Sequence, residues 1–198
     1  WHYLLDTKHL HVTGLTYPLS ENSRLIIASA LSRAATAGVS TSLDVNHRDQ
    51  LWSPAQCRDE LLPLCRDVGL LFCSRRDAQE VFGCRGEPEV AANRLLEVTG
   101  ARTLVMTLGD EGVIACGPDG TLRAGARPAS VLDRMGAGDA LAAGVLHGWL
   151  RGDLTAGPVG KTLLMFTLPT LGANVLQSLN GSISAIYVGK FLGEAAFA

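Results

Sequence analysis

The residues best suited to chemistry lie in one short segment, Asp133 to Ala140, whose sequence is Asp-Arg-Met-Gly-Ala-Gly-Asp-Ala. The segment stands between a predicted strand and a predicted helix, where small residues let backbone N–H groups approach a phosphate closely and the helix N-terminus adds positive potential. Asp139 falls in the first helical turn, where a carboxylate can accept a proton from an attacking hydroxyl, the role of a general base in phosphoryl transfer. The alternative is a helix N-terminus with an ordinary first-turn Asp, favoured by the helix dipole.

Strand and helix patterns alternate in the part of the chain that must position this segment. Apolar residues recur at helical spacing between Ser20, which can cap a helix, and Gly38, a residue type that commonly ends one. The segment before this helix, His9–Gly14, and the segment after it, Val39–Val45, have strand patterns. A strand, a helix and a strand in this span predict a crossover between parallel strands.

The same alternation continues to about residue 150. The predicted elements are a helix that opens at Ser53-Pro54 and weakens at Pro63, a buried strand at Leu70–Cys73, a helix at Pro88–Val98, strands at Thr103–Leu108, up to Cys116, at 121–123 and at 130–132, and a helix from Gly136. This order predicts an α/β fold with a doubly wound, mainly parallel sheet.

Composition narrows the class of protein. The 198 residues carry 17 Lys and Arg against 19 Asp and Glu, which argues against a nucleic-acid binder that works through bulk charge. With 47% hydrophobic residues, the chain can bury a sizeable core. Its five cysteines form no Cys-x-x-Cys pair, which favours free thiols in a reducing cytosol. We expect a fragment, because the chain begins with Trp1 rather than Met. Its first residues show no basic stretch followed by an apolar run, so nothing in them suggests a signal peptide.

Several motifs together resemble a known family. Gly136–Ala140, preceded by Asp133, resembles the C-terminal signature of the ribokinase-type (PfkB) sugar kinases. Ser42–Arg48 followed by Leu51-Trp52 resembles a segment of the 2-keto-3-deoxygluconate kinases of that family, and Thr107–Gly112 resembles its nucleotide-side strand and loop. The resemblance covers the chain from about residue 9 to residue 150. It implies a ribokinase-like fold, ATP-dependent phosphorylation of a sugar or sugar acid, and ATP and Mg²⁺ as cofactors. The cysteine pattern predicts a cytoplasmic location for the kinase part, and the charge balance predicts no nucleic-acid partner.

The resemblance assigns roles to the residues of the glycine-rich segment. Asp139 would be the base that activates the sugar hydroxyl. Gly136, Ala137 and Gly138 would form the anion hole for the transferred phosphoryl group. Members of the family also carry a longer N-terminal half that supplies much of the sugar pocket, so the resemblance implies a truncated and inactive piece as one outcome.

Two further groups of residues receive roles from the resemblance. Asn46 and Arg48 would face the phosphates or the substrate from the end of their strand. For Arg48 the alternative is a solvated surface charge, although its planar donor fork suits phosphate or carboxylate. Thr107, Gly109 and Gly112 would lie on the nucleotide side, where the glycines let the backbone approach the nucleotide. A tight hairpin is the alternative for both glycines.

The sequence departs from the family pattern at one motif. The family commonly has Asn-x-x-Glu, which helps to organise magnesium through water, where this chain has Ser74-Arg75-Arg76-Asp77. The resemblance would place Ser74 on the nucleotide and Asp77 near Mg²⁺ through water, since that ion usually keeps several waters. The alternative is a capping box, in which both side chains satisfy backbone donors at a helix start.

The tail of the chain has a different character. Residues 162–189 contain no Asp, Glu, Lys, Arg or His, a stretch long enough to span a bilayer. Segments within 153–198 resemble the N-terminus of multidrug and toxin extrusion (MATE) transporters, so we expect a partial kinase domain at 1–152 and a transporter-like segment with one hydrophobic helix at 153–198. Membrane contact through 162–189 would follow, with a buried core helix as the alternative.

Two rival functions stay open from the sequence. The first is a MATE-like membrane transporter fragment with a kinase-like passenger. The second is a non-catalytic nucleotide-binding module. Homo-oligomerisation is left open in each case, and ATP with a small sugar or sugar acid remains the expected set of ligands for the kinase.

Overall fold

The computed structural model describes residues 1–66, 68–126 and 136–151 of the 198-residue chain. The chain divides into two compact units, Trp1–Pro128 and Ala129–Ala198. A sheet with its helices forms the first unit, and the described part of the second unit is a single helix.

The first unit is built on a six-stranded sheet in which the strands lie in chain order. The first four strands pair parallel, and the last two continue the sheet as an antiparallel hairpin. The strands are β1 (His9–Thr13), β2 (Ser40–Asp44), β3 (Leu70–Ser74), β4 (Thr103–Thr107), β5 (Val113–Gly117) and β6 (Gly120–Ala124). The predicted α/β class with a mainly parallel sheet is confirmed. The reversal of strand order that marks the switch point of a doubly wound sheet does not occur among the described strands.

Six helices accompany the strands in the described ranges. They are α1 (His2–Leu5), α2 (Glu21–Thr36), α3 (Pro54–Cys65), α4 (Arg75–Glu80), α5 (Pro88–Thr99) and α6 (Ala137–Arg151). Two short 3₁₀ turns, Tyr17–Leu19 and Gly109–Glu111, complete the set. The helix α2 connects the parallel strands β1 and β2, so the predicted crossover is confirmed.

The helix starts follow the capping residues that the sequence shows. Ser20 Oγ accepts a hydrogen bond from the backbone N–H of Ser23 at 3.1 Å, before α2. Ser53 and Gln56 form a reciprocal capping box at α3, with Pro54 at the first helical position. The helix α3 continues to Cys65 through Pro63, where the sequence predicted a weakening. The missing N–H of this proline is tolerated near the end of the helix.

One face of the sheet carries the apolar core. Leu43, Leu71 and Leu104 are register partners on neighbouring strands, and they pack with Leu61 of α3 and Leu95 of α5. All five side chains are fully buried. Successive side chains point to opposite faces of a strand, so a slip of one residue would turn this row of leucines away from the helices. The core therefore fixes the register of the strands.

The opposite face of the central strands is also buried. Leu70, Phe72 and Val105 lie on that face and are at most 4% exposed. Burial on both faces is the usual state of a parallel sheet, which explains why these strands have nearly continuous apolar sequences.

Three expectations fall outside the described residues: the strand at 130–132, the acid Asp133, and the transporter-like segment 153–198 with its hydrophobic helix. Within the described ranges, no helix is both long enough and apolar enough to cross a membrane.

The five cysteines are free thiols buried in the first unit, as predicted. Burial is the main cause that raises the pKa of Cys57 and that of Cys65 from 9.0 to about 12. The negative charge of Asp77 raises the pKa of Cys57 further, and the Cys57 thiolate does the same for Cys65. Because a thiol reacts as its thiolate, these two side chains should be inert at neutral pH. We expect iodoacetamide at pH 8 to leave Cys57 and Cys65 unmodified in the folded protein and to alkylate both in urea, as measured by peptide mass spectrometry.

The same pKa shifts make stability depend on pH in the alkaline range. Both states keep the thiol protons below pH 9, whereas between about pH 9 and pH 12 the unfolded chain releases them and the folded protein does not. The free energy of unfolding should therefore fall as the pH rises through this window. Rapid alkylation of Cys57 or Cys65 in the folded protein would contradict the burial that causes both effects.

Candidate functional site

Polar residues gather at the carboxyl ends of the parallel strands. The register pairs Thr13 with Asp44 across β1 and β2, and Ser74 with Thr107 across β3 and β4. Asn46 follows β2, and its Nδ2 donates a hydrogen bond to Thr13 Oγ1 at 3.3 Å. Parallel pairing brings strand ends to the same edge of a sheet, which is where ligands bind in open α/β folds. Four sequence-predicted site residues thus lie at or near one edge: Asn46, Ser74, Asp77 and Thr107.

The loop after β2 has an unusual backbone at Asn46. Its φ of 41° lies in the left-handed region, which Asn tolerates better than other side chains apart from Gly. The next residue, His47, is fully buried, and its Nε2 lies 3.1 Å from Asp49 Oδ1. This conformation could not be predicted from the residue type, because Asn is also common in ordinary turns.

Arg48 lies between two buried anchors. His47 precedes it, and Trp52, which stacks on Tyr17 with ring centroids 6.1 Å apart, closes the loop. The backbone carbonyl of Arg48 accepts hydrogen bonds from the N–H groups of Leu51 and Trp52 at 3.0 and 3.4 Å. The guanidinium itself is exposed and has no ion pair or hydrogen bond among the described residues. A planar donor fork on a fixed backbone is suited to bind a phosphate or carboxylate.

The helix α4 begins directly after β3 with one half of the capping box that the sequence left as an alternative, because Ser74 caps the helix and the Asp77 carboxylate bonds elsewhere. Ser74 Oγ accepts a hydrogen bond from the backbone N–H of Asp77 at 3.0 Å. Asp77 is 4% exposed, and its carboxylate accepts from Arg76 Nη2 at 3.1 Å and from the backbone N–H of His47 at 3.4 Å. Ser74 therefore acts as a helix cap in this structure, and the predicted contact between Ser74 and a nucleotide stays a prediction.

The resemblance would place Asp77 near Mg²⁺ through water, so the surroundings of its carboxylate bear on this role. Mg²⁺ is bound by carboxylate oxygens together with several waters. Both oxygens of Asp77 are engaged by protein donors, and no group of three or more His, Cys, Asp or Glu that could hold a metal occurs in the described part of the chain. These contacts argue against direct coordination of Mg²⁺ by Asp77, and its predicted role near Mg²⁺ through water stays a prediction.

The loop between β4 and β5 contains the predicted nucleotide-side glycines. Gly109 has a φ of 67° with open space around its Cα, whereas Gly112 has a φ of 107° and lies against the end of β6. A Cβ on Gly112 would collide with the carbonyl oxygen of Ala124 and would lie 2.8 Å from the backbone N of Ala126. The carbonyl of Gly112 also accepts from the N–H of Leu108 at 2.9 Å. Hairpin packing thus requires Gly112, while the nucleotide role of both glycines stays a prediction.

A chain of ion pairs supports this loop, and sequence reasoning missed it. Glu111 accepts from Arg75 Nη1 at 2.9 Å and from Arg123 Nη2 at 3.1 Å. Arg123 also pairs with Glu89 at 3.0 Å. A backbone hydrogen bond and the Arg123 guanidinium lower the pKa of Glu89 from its ordinary value of 4.5. The paired residues lie 12 to 36 positions apart in the chain, so no local sequence pattern predicts that they pair.

The second unit presents the glycine-rich segment at the start of α6. The carbonyl of Gly136 accepts the first helical hydrogen bond, from the N–H of Ala140 at 2.9 Å. Ala137, Gly138 and Asp139 follow in the first turn and are exposed. Their N–H groups have no acceptor within a helix, which leaves donors and a positive dipole end for an anion. The predicted anion hole and carboxylate thus share one exposed helix start.

The sequence of the chain matches that of the pfkB family carbohydrate kinases over residues 1–162. The chain belongs to this family. A curated relative, the 2-dehydro-3-deoxygalactonokinase of Haloferax volcanii, is 28% identical over 91% of this chain and 55% of its own length. The 2-dehydro-3-deoxygluconokinase of Thermoproteus tenax is 33% identical over 67% of this chain and 40% of its own length.

Solved structures agree with this assignment of the fold. The 2-dehydro-3-deoxygluconokinase of Thermotoga maritima superposes with a TM-score of 0.72 and 25% identity, over 82% of this chain and 53% of that protein. This pfkB chain spans about half the length of the curated relatives it matches. The family match extends past the predicted boundary at residue 152, and the alignment with the Haloferax protein also includes residues beyond it. These matches give no support to the transporter resemblance of residues 153–198.

The two glycines of the nucleotide-side loop allow a matched test of the hairpin. Gly112→Ala should lower the free energy of unfolding by roughly 3 kcal/mol or more, because the new Cβ meets backbone atoms of β6. Gly109→Ala should cost only about 1 kcal/mol, the strain of a left-handed residue with free space around it. Urea denaturation of both variants measures the difference, and equal losses would contradict the packing of Gly112.

Proposed function

We propose that the protein containing this chain transfers the γ-phosphoryl group of ATP to a hydroxyl of a sugar acid of the 2-keto-3-deoxygluconate class. The observation that carries the proposal is the exposed start of α6, where Asp139 stands among backbone donors suited to an anion. The family is that of carbohydrate kinases, and the relatives include kinases of 2-dehydro-3-deoxy sugar acids, another name for the 2-keto-3-deoxy compounds.

The chemistry follows from these groups. Asp139 takes the proton of the sugar hydroxyl while that oxygen forms a bond to the γ-phosphorus. The bond from the γ-phosphorus to the bridging oxygen breaks at the same time, and ADP leaves. The N–H groups of Ala137 and Gly138 stabilise the negative charge on the transferred group. This stabilisation is strong because the donors are already in place before the reaction.

The substrate side of the proposal rests on the loop after β2. The guanidinium of Arg48, which is exposed and has no ion pair or hydrogen bond to any described residue, and the amide of Asn46 supply donors for a phosphate or for the carboxylate that distinguishes a sugar acid from a neutral sugar. Thr107, Gly109 and Gly112 are proposed on the nucleotide side. Magnesium enters as part of MgATP, where it neutralises phosphate charge. The free buried thiols support a reducing compartment such as the cytoplasm.

The proposal is tested on the complete polypeptide that contains this chain, with ATP and 2-keto-3-deoxygluconate, by measuring the ADP formed. Asp139→Asn keeps the shape of the side chain but removes the base, so kcat should fall at least about a hundredfold. Binding of ATP, measured by calorimetry, should stay close to that of the parent protein.

Glu21→Gln is the matched control, since Glu21 is also an exposed acid in the first turn of a helix. This variant should keep the parent rate. Parent-like turnover by Asp139→Asn would reject Asp139 as the base. ATP binding without transfer to a panel of sugar acids and neutral sugars would reject the kinase proposal and favour a nucleotide-binding module.

A further inference from the structure

The loop after β2 needs outside support at His47. Its backbone N–H and carbonyl belong to a fully buried residue that directly follows the left-handed Asn46. A buried backbone group without a partner costs about 1–3 kcal/mol, so each of these groups needs one. Neither group bonds to a neighbouring residue of its own loop.

Both partners come from the first turn of α4. Asp77 Oδ2 accepts from the backbone N–H of His47 at 3.4 Å, and Arg76 Nη2 donates to the carbonyl of His47 at 3.3 Å. Arg76 also donates to Asp77 Oδ1 through Nε at 3.2 Å and Nη2 at 3.1 Å, which joins the two side chains. Ser74 in turn holds the backbone of Asp77 as the helix cap. Asp77 thus binds the peptide group before His47, and Arg76 binds the peptide group after it.

The burial of Asp77 distinguishes this arrangement from an ordinary surface ion pair. The carboxylate is 4% exposed, and a buried charge is tolerated only when it is paired and hydrogen-bonded. Arg76 supplies the charge and His47 supplies a backbone donor. Arg76 has a second, exposed partner in Glu80, at 3.5 Å, which lies on the same helix and does not reach the loop.

We infer that Arg76 and Asp77 are positioning residues, which clamp the backbone of His47 and thereby hold Asn46 and Arg48 in place for the substrate. This inference rests on the proposed function for the role of Asn46 and Arg48. The clamp itself rests only on the contacts of His47. In this inference the Ser-x-x-Asp motif, Ser74–Asp77, positions a loop of the substrate side rather than a magnesium ion.

The clamp is tested first without any activity, by hydrogen exchange of backbone amides in the 198-residue chain. Asp77→Ala removes the acceptor of the His47 N–H, which should then exchange at least about tenfold faster. Arg76→Ala, at a half-exposed side chain, is the second variant and keeps the test valid if Asp77→Ala fails to fold. It should speed exchange in the same direction, because it frees the carbonyl of His47 and loosens Asp77.

Glu80→Gln is the matched control, since it removes the other ion pair of Arg76 and leaves the clamp intact. Its His47 amide should exchange at the parent rate. The N–H of Gly69, which donates to the carbonyl of Thr41 at 3.1 Å, is an internal reference and should be unchanged in all three variants. Unchanged exchange at His47 in both clamp variants would overturn the inference.

Kinetics of the complete polypeptide then separate positioning from metal binding. If the clamp positions Asn46 and Arg48, Arg76→Ala should raise the KM for the sugar acid severalfold and leave the Mg²⁺ concentration for half-maximal rate unchanged. A higher Mg²⁺ requirement in Asp77→Ala, with unchanged exchange at His47, would overturn the clamp in favour of a metal role. Absence of any transfer by the parent protein would reject the proposed function alone, and the exchange rates would still decide the clamp.

Discussion

The parallel hydrogen bonding of β1 to β4 is the constraint on which the candidate site depends. It brings the carboxyl ends of four strands to one edge of the sheet. Thr13 and Asn46 meet there through a hydrogen bond, and Ser74 and Thr107 are register partners. A row of buried leucines on the core face fixes that register. The packing of apolar side chains within the strands thus determines which polar residues at the carboxyl ends of those strands become neighbours.

Ion pairs and hydrogen bonds stabilise two of the loops that follow the strands of the sheet. A carboxylate as buried as that of Asp77 would be costly alone, and its ion pair with Arg76 and its bond to the His47 N–H offset that cost. The exposed network around Glu111 works with weaker contacts, since each exposed pair contributes little on its own. The two groups of contacts lie on two loops of the first unit, and both loops follow parallel strands.

Much of this arrangement could be predicted from local sequence. The strands followed from apolar runs, and the helix starts followed from caps such as Ser53, since capping involves residues three positions apart. The cap at Ser74 was one of two alternatives that sequence alone could not separate, because the same residues suit a ligand. The bond from Arg76 to His47 could not be predicted, since it joins residues 29 positions apart through tertiary packing. The ion pairs of Glu111 with Arg75 and Arg123 could not be predicted for the same reason.

The most direct test of the proposed site is a map of backbone amide shifts in the ¹⁵N spectrum of the complete polypeptide that contains this chain, recorded while MgATP and then 2-keto-3-deoxygluconate are added. From the proposed function we expect the shifts to concentrate at residues 45–49, 107–112 and 136–139, which are the loops after β2 and β4 and the start of α6. Shifts confined to the opposite edge of the sheet, around His9 and Ser40, would contradict it, as would a spectrum that neither ligand changes.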